Sequence, residues 1–215
     1  ATGAQEVLQA RGARLIGISG PQGSGKSTLA AALAAALAAQ HRLNAVVVGL
    51  DDFYLGRAAR QALARSVHPL LATRGVPGTH DVAQLHRAFD ALLDGRGAVA
   101  LPQFDKARDD RAAAPRHIDA PADVLLFEGW CIGARSQPDG ALDRPVNRLE
   151  AEEDGDGRWR RWVNAQLAGD YAALFARLDR LVLLHPARLA LPQRRRQQQE
   201  ALLRAARGRG MSVAE

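Results

Sequence analysis

Short apolar runs alternate with longer mixed segments along the chain. Residues 14–19, 44–50 and 123–127 are almost continuously apolar and are bounded by glycine or charge, the pattern of strands buried on both faces of a parallel sheet. Residues 98–101, ahead of Pro102, predict a short strand, and 181–184 a fourth buried strand. Helical patterns lie between them. Residues 27–40, rich in leucine and alanine, have very high helix propensity. Residues 57–65 read as helix, stopped before Pro69. Residues 81–93 place Val82, Leu85, Phe89, Leu92 and Leu93 at helical spacing, with Asp81 as N-cap. Residues 158–178 predict one amphipathic helix with Trp159 and Trp162 in the core, and 193–207 a charged helix with little apolar face. Residues 20–25 and 73–80 read as loops, 103–122 as a polar irregular stretch and 136–157 as a long acidic connection. Within the last, residues 150–156 lack the alternating ligands of a calcium loop and read as solvated. Strand–helix alternation of this kind predicts an α/β fold: a mostly parallel sheet with helices on both faces.

Composition narrows the class. The 215 residues suit one domain with an appendage. Hydrophobic residues at 47% suffice for a core and exclude a wholly disordered chain. No segment has the pattern of a signal peptide or a membrane span. The single cysteine, Cys131, excludes an internal disulfide framework, is assigned to packing, and fits a reducing cytoplasm. The net charge of +6 suits anionic ligands. Among the 29 basic residues only Lys26 and Lys106 are lysines. Where arginine is the default cation, a lysine marks a place that calls for a compact ammonium.

Lys26 closes the strongest motif. Gly20-Pro21-Gln22-Gly23-Ser24-Gly25-Lys26-Ser27, continued by Thr28, matches G-x-x-x-x-G-K-[ST] between a predicted strand and a predicted helix. Glycines let successive N–H groups converge on phosphate oxygens, and the helix directs the positive end of its dipole at the same anion. Lys26 is expected to reach the β- and γ-phosphates of ATP and the Ser27 hydroxyl to ligate Mg²⁺.

Further candidates follow predicted strands, where ligands bind in open parallel sheets. In Asp51-Asp52-Phe53-Tyr54 one acid is expected to face the site and the other to cap or pair; Asp51 is favoured as general base, helix capping being the alternative. Glu128, in Phe127-Glu128-Gly129-Trp130, stands where a Walker B acid would hold the metal, or is a mere strand-end acid; Gly129 is expected to let the backbone approach ligand. The loop from Arg74 to Asp81, including His80, reads either as a receptor for a small anionic, hydroxylated substrate or as a structural turn. Lys106, beside Asp105, Arg108 and Arg111, reads either as a substrate or phosphate contact or as part of a solvated charge run. Arg194, Arg195 and Arg196 read as lid arginines closing over the phosphoryl group or as a solvated helix face.

The runs GPQGSGKST, LDDFYL, RGVPGTHD, LPQFDKARDDR and LFEGW, in this order, resemble the D-glycerate 3-kinase family of the phosphoribulokinase, uridine kinase and pantothenate kinase group. The resemblance runs from about residue 15 to 200. It implies a five-stranded parallel sheet, ATP with Mg²⁺, and transfer of the γ-phosphoryl group to a hydroxyl of D-glycerate, giving 3-phosphoglycerate. It places residues 20–28 on the nucleotide, Ser27 and Glu128 on the metal, Lys26, Asp51, Glu128 and Arg196 in catalysis, and Asp51, Tyr54, Arg74, His80, Asp105 and Lys106 at the acceptor. Arg196 with Gln199 and Glu200 matches the lid pattern, although Arg195 stands where the family usually has an aromatic. The expectation is a single kinase domain over 1–215, with a lid helix over about 187–207 and without the family's final helix and strand. Another hydroxylated acceptor, such as a nucleoside or pantothenate, or an inactive nucleotide-binding member, are the alternatives. Nucleic-acid and membrane partners are not expected: aromatics, at 5%, provide no stacking platform.

Overall fold

The computed structural model describes residues 12–185. In chain order they form β1 (Leu15–Ser19), α1 (Lys26–His41), β2 (Ala45–Gly49), α2 (Arg57–Ser66), α3 (Val82–Asp94), β3 (Gly97–Leu101), β4 (Phe104–Asp105), β5 (Asp110–Arg111), β6 (Arg116–Ala120), β7 (Val124–Gly129), α4 (Arg148–Glu153), α5 (Arg158–Gln166), α6 (Ala172–Phe175) and β8 (Arg180–Leu183). Short 3-10 turns occupy Leu50–Phe53, Pro69–Ala72 and Asp139–Leu142. The central sheet has the order β2-β7-β1-β8, and all three pairings are parallel. β3 pairs antiparallel with β6, and β4 with β5.

Alternation along the inner strands decides how the sheet is covered. Leu15, Leu125 and Phe127 share one core with Val82, Leu85, Phe89 and Leu92 of α3. Ile16, Ile18, Val124 and Leu126 share the other with Ala30 and Leu37 of α1. Every residue of β1 is buried, so no polar face was available to it. Phe89 meets Phe127 edge to face at 5.0 Å between ring centroids, a packing worth about 1 kcal/mol for the pair beyond the burial of its rings. Asp81 caps α3 as expected, its carboxylate accepting from the Gln84 amide at 2.9 Å.

Several expectations change. The fourth strand is not buried: β8 is the outer strand of the described sheet, with Leu181 47% and Leu183 66% exposed. The polar stretch 103–122 is not irregular but supplies β4, β5 and β6, whose short pairings lack the apolar run by which a buried strand is recognised. The single helix over 158–178 is broken: α5 ends at Gln166, a π-helical turn spans Leu167–Tyr171, and Gly169 leaves helical geometry at φ −96°, ψ −108°. Trp159 and Trp162 are half-buried rather than core. Residues 150–156 are not uniformly solvated. Glu150 is buried and accepts from the Val146 amide, while buried Asp154 pairs with Arg160 at 2.9 Å. The predicted five-stranded sheet shows four strands in its central layer among the described residues. The lid arginines Arg194–Arg196 and the expected lid helix lie outside the described residues.

Candidate active site

Strand register brings the candidate groups to one edge. Ser19 lies opposite Gly129, Ile18 opposite Glu128, and Gly49 opposite Glu128 from the other side. The chain therefore leaves β1 into residues 20–25, leaves β2 into Leu50–Phe53, and ends β7 with Glu128 at the same level. Glu128 lies within β7, not beyond it.

In the phosphate loop, Gly25 caps α1 with left-handed geometry, φ +92°, which L side chains rarely adopt. A Cβ on Gly20 would come 2.8 Å from the Leu184 carbonyl oxygen. The Lys26 ammonium donates to the Pro21 carbonyl at 3.0 Å. Burial lowers its proton affinity, and Glu128 and Asp51 oppose that shift. The Ser27 hydroxyl donates to Glu128 Oε1 at 2.7 Å, which brings a hydroxyl and a carboxylate oxygen together as hard ligands for Mg²⁺. The loop fits a polyphosphate on a further observation. The Ser24 hydroxyl is buried without a hydrogen-bond partner, beside a helix N-terminus with no acidic residue in its first turn.

The two adjacent acids diverge, and neither caps a helix. Lys106 donates from Nζ to Asp51 Oδ2 at 2.6 Å. Burial raises the affinity of Asp51 for a proton, but the ammonium, His80 and the Tyr54 hydroxyl more than reverse this, so its carboxyl is held below the usual range. Asp52 turns back over the strand end: a Cβ on Gly49 would lie 3.3 Å from Asp52 Oδ2 and 3.9 Å from Glu128 Oε1. Burial pushes Asp52 up, against the opposing charge of Arg116.

The β4–β5 turn that carries Lys106 is fastened from below. Asp105, expected at the acceptor, accepts through its carboxylate from the Ala107 and Arg108 amides at 2.9 and 3.2 Å and so caps the turn. Asp109, at φ +52°, pairs with Arg60 at 2.8 Å and with Arg74. Arg74, expected at the acceptor, is thus committed to Asp109 and lies over the Phe104 ring at 5.4 Å. Arg60 is wholly buried and also donates to the Leu55 and Ala72 carbonyls at 3.1 and 2.9 Å, tying three loops together. Sequence reasoning missed it, because nothing distinguishes one arginine of α2 from its neighbours.

His80 is buried and stacks on Tyr54 at 4.2 Å between ring centroids. Its Nδ1 lies 2.6 Å from the Tyr171 hydroxyl, which also accepts from the Gly78 amide at 2.9 Å. Burial lowers the imidazole to about 4, so it is neutral near pH 7. Tyr171, another residue missed in the sequence, comes from the π-helical turn 91 positions away; only the fold joins the two. Gly129 is required by packing rather than by ligand approach, since a Cβ there would lie 2.7 Å from Leu50 Cβ. Cys131 is a packing residue, its thiol raised to about 12 by burial. A cavity of about 440 Å³ beside Val76, Pro77, Trp130 and Trp159 adjoins the same loop but is lined by neither Lys26, Asp51 nor Lys106. No helix among the described residues is long and apolar enough to cross a membrane.

No protein-family model matches the sequence. The uncharacterized kinase mug58 of Schizosaccharomyces pombe is 36% identical over 217 residues, an alignment that covers 94% of this chain and 75% of that protein. The chloroplastic D-glycerate 3-kinase of Arabidopsis thaliana is 34% identical over 170 residues, covering 70% of this chain but only 36% of the plant protein. Among solved structures, a D-glycerate 3-kinase from Cryptococcus neoformans var. grubii superposes with a TM-score of 0.78 at 25% identity, covering 98% of this chain and 81% of that one. A possible uridine kinase from Bacillus stearothermophilus, 18% identical with a TM-score of 0.52 over 84% of this chain and 95% of its own, shares the fold. With the phosphate loop, the paired Ser27 and Glu128, and the Asp51–Lys106 contact at one sheet edge, the chain belongs to the D-glycerate 3-kinase family of phosphate-loop kinases, phosphotransferases with a hydroxyl acceptor.

Proposed function

We propose that this protein transfers the γ-phosphoryl group of ATP to a hydroxyl of D-glycerate, giving ADP and 3-phosphoglycerate. The observation that carries this reading is the placement of Asp51, in contact with an ammonium, at the sheet edge that also bears Lys26, Ser27 and Glu128. Main-chain N–H groups of residues 20–28, Pro21 excepted because it has none, bind the polyphosphate, and Lys26 reaches its terminal phosphates. Ser27 and Glu128 would hold Mg²⁺, which supplies positive charge that offsets the charge on the phosphates. Asp51 orients the acceptor hydroxyl and takes its proton as the oxygen bonds to the γ-phosphorus and the bond to the β–γ bridging oxygen breaks. Tyr54 and His80 wall the acceptor side next to Asp51. Arg74 and Asp105 act through the β4–β5 turn, and Arg196 is assigned to the lid over the phosphoryl group. A single kinase domain over 1–215, acting in the cytoplasm, completes the reading.

The test is ADP release by the purified protein with Mg²⁺ and ATP across a panel of D-glycerate, nucleosides and pantothenate. Turnover with D-glycerate above the others is the expected result. Preference for a nucleoside would replace the acceptor and keep the kinase, and no turnover with any of them would refute the reading.

A further inference from the structure

We propose that Lys106 selects the acceptor by exchange: its ammonium, seated on Asp51, passes to an anionic group of the hydroxyl substrate and so frees Asp51 to act as base. The inference rests on the kinase reading above and concerns what makes the base available.

Geometry makes the pair exchangeable. The contact is short, 2.6 Å, yet both partners are partly open to solvent, with side chains 61% and 36% exposed. An ion pair so exposed is weakly held, so a second carboxylate can compete for the ammonium at little cost. The backbone beneath it is fixed. Asp105 caps the turn, Asp109 anchors it, and buried Arg60 holds Asp109 to the rest of the loop cluster. Only the four-carbon stem of Lys106 has to move. A lysine suits this exchange better than an arginine, whose planar fork would grip a carboxylate in two places.

The pairing also bears on the chemistry. A carboxylate held by an ammonium is a weaker proton acceptor than one relieved of it. The charged and titratable groups around Asp51 are Lys106 on the β4–β5 turn, Asp52 and Tyr54 on its own segment, His80 from the loop before α3, Lys26 of the phosphate loop and Cys131 after β7. Of these, Lys106 is a flexible, exposed cation in direct contact with the carboxylate. When the acceptor's carboxylate takes it, Asp51 accepts the hydroxyl proton, the oxygen attacks the γ-phosphorus, and ADP leaves with the electron pair of the broken bond. A neutral polyol has no group to draw the ammonium away.

The experiment compares D-glycerate with glycerol, which keeps the hydroxyls and lacks the carboxylate, in the full-length protein with Mg²⁺ and ATP. The quantity is the ratio of kcat/KM for the two acceptors, in which any inactive fraction cancels. The wild-type protein is expected to prefer D-glycerate, and Lys106→Met to reduce that preference by about tenfold or more, with Lys106→Arg in between. If Lys106→Met lowers both acceptors by the same factor, the ammonium serves the phosphoryl group alone and the inference is overturned while the kinase reading stands. If the wild-type protein turns over neither acceptor, the D-glycerate reading fails and takes the inference with it, whether or not another acceptor is phosphorylated.

Discussion

At the scale of the residue, Asp51 and His80 carry the sharpest consequences. Asp51→Asn keeps the shape of the side chain but cannot take a proton. Its kcat is expected to fall by about 10²–10⁴, with nucleotide binding retained in a fluorescence titration. His80 links stability to pH. Its imidazole titrates near 4 in the folded chain, against an ordinary 6.5, because burial disfavours the cation. Between those values the unfolded chain holds a proton that the folded chain lacks, so stability drops as pH falls from 6.5 towards 4, by about 3 kcal/mol in all. Urea unfolding at pH 7.5 and 5.0 measures the slope, and His80→Gln is expected to flatten it. Lys26, Ser27, Asp51 and Glu128 were legible as candidates because each stands at the end of an apolar run or of a glycine loop. The commitments of Arg74 to Asp109 and of Asp105 to its own turn were not legible, because both depend on which loop packs beneath.

At the scale of the element, the loops around Asp51 and Lys106 are held from within. Arg60 satisfies carbonyls from two loops and a carboxylate from a third without touching solvent. Arg60→Met leaves those acceptors unpaired and is expected to cost about 3–5 kcal/mol, measured as a shift of the urea midpoint. The loop before α3 is pinned differently. Gly78 has φ +96°, and a Cβ there would lie 2.3 Å from the Trp162 ring. Gly78→Ala is therefore expected to destabilise by about 2 kcal/mol and to move the loop that carries His80, which raises KM for the acceptor more than for ATP. Strands β4 and β5 escaped the sequence pattern because a two-residue pairing needs no apolar alternation, and its turn is held in place by Asp109 and Arg60; β6 escaped it because Arg116, His117 and Asp119 leave its five residues without an apolar run. The break after α5 was equally hidden, since a π-helical turn keeps helical spacing on both sides while rotating Tyr171 into contact with His80.

At the scale of the whole molecule, the carboxyl ends of parallel strands gather the phosphate loop, the Ser27–Glu128 pair and Asp51. Binding there should stabilise the fold as a unit. A non-hydrolysable ATP analogue with Mg²⁺ at about 100 times its Kd adds about 2.7 kcal/mol, which corresponds to a rise in Tm of roughly 5–10 °C for a chain of this length. Lys26→Ala is expected to abolish most of that rise in a thermal-shift measurement while leaving the melting temperature without nucleotide nearly unchanged, because among the described residues the Lys26 ammonium donates one hydrogen bond, within its own loop.

The sequence by itself determined the α/β class, the existence of strands β1, β2 and β7, the phosphate loop and its lysine, and the acids at the strand ends. Those features are written in local periodicity and in backbone rules that act over a few residues. β2, read as buried, is an outer strand of the described sheet whose residues alternate between buried and partly exposed. Tertiary structure alone decided that β8 is exposed, that Arg60 holds Asp109 and Tyr171 meets His80, and that Lys106 reaches Asp51 across 55 positions. Such contacts join segments remote in the chain, and a pattern of neighbours along a sequence holds no record of which remote side chains share the low-dielectric space between them.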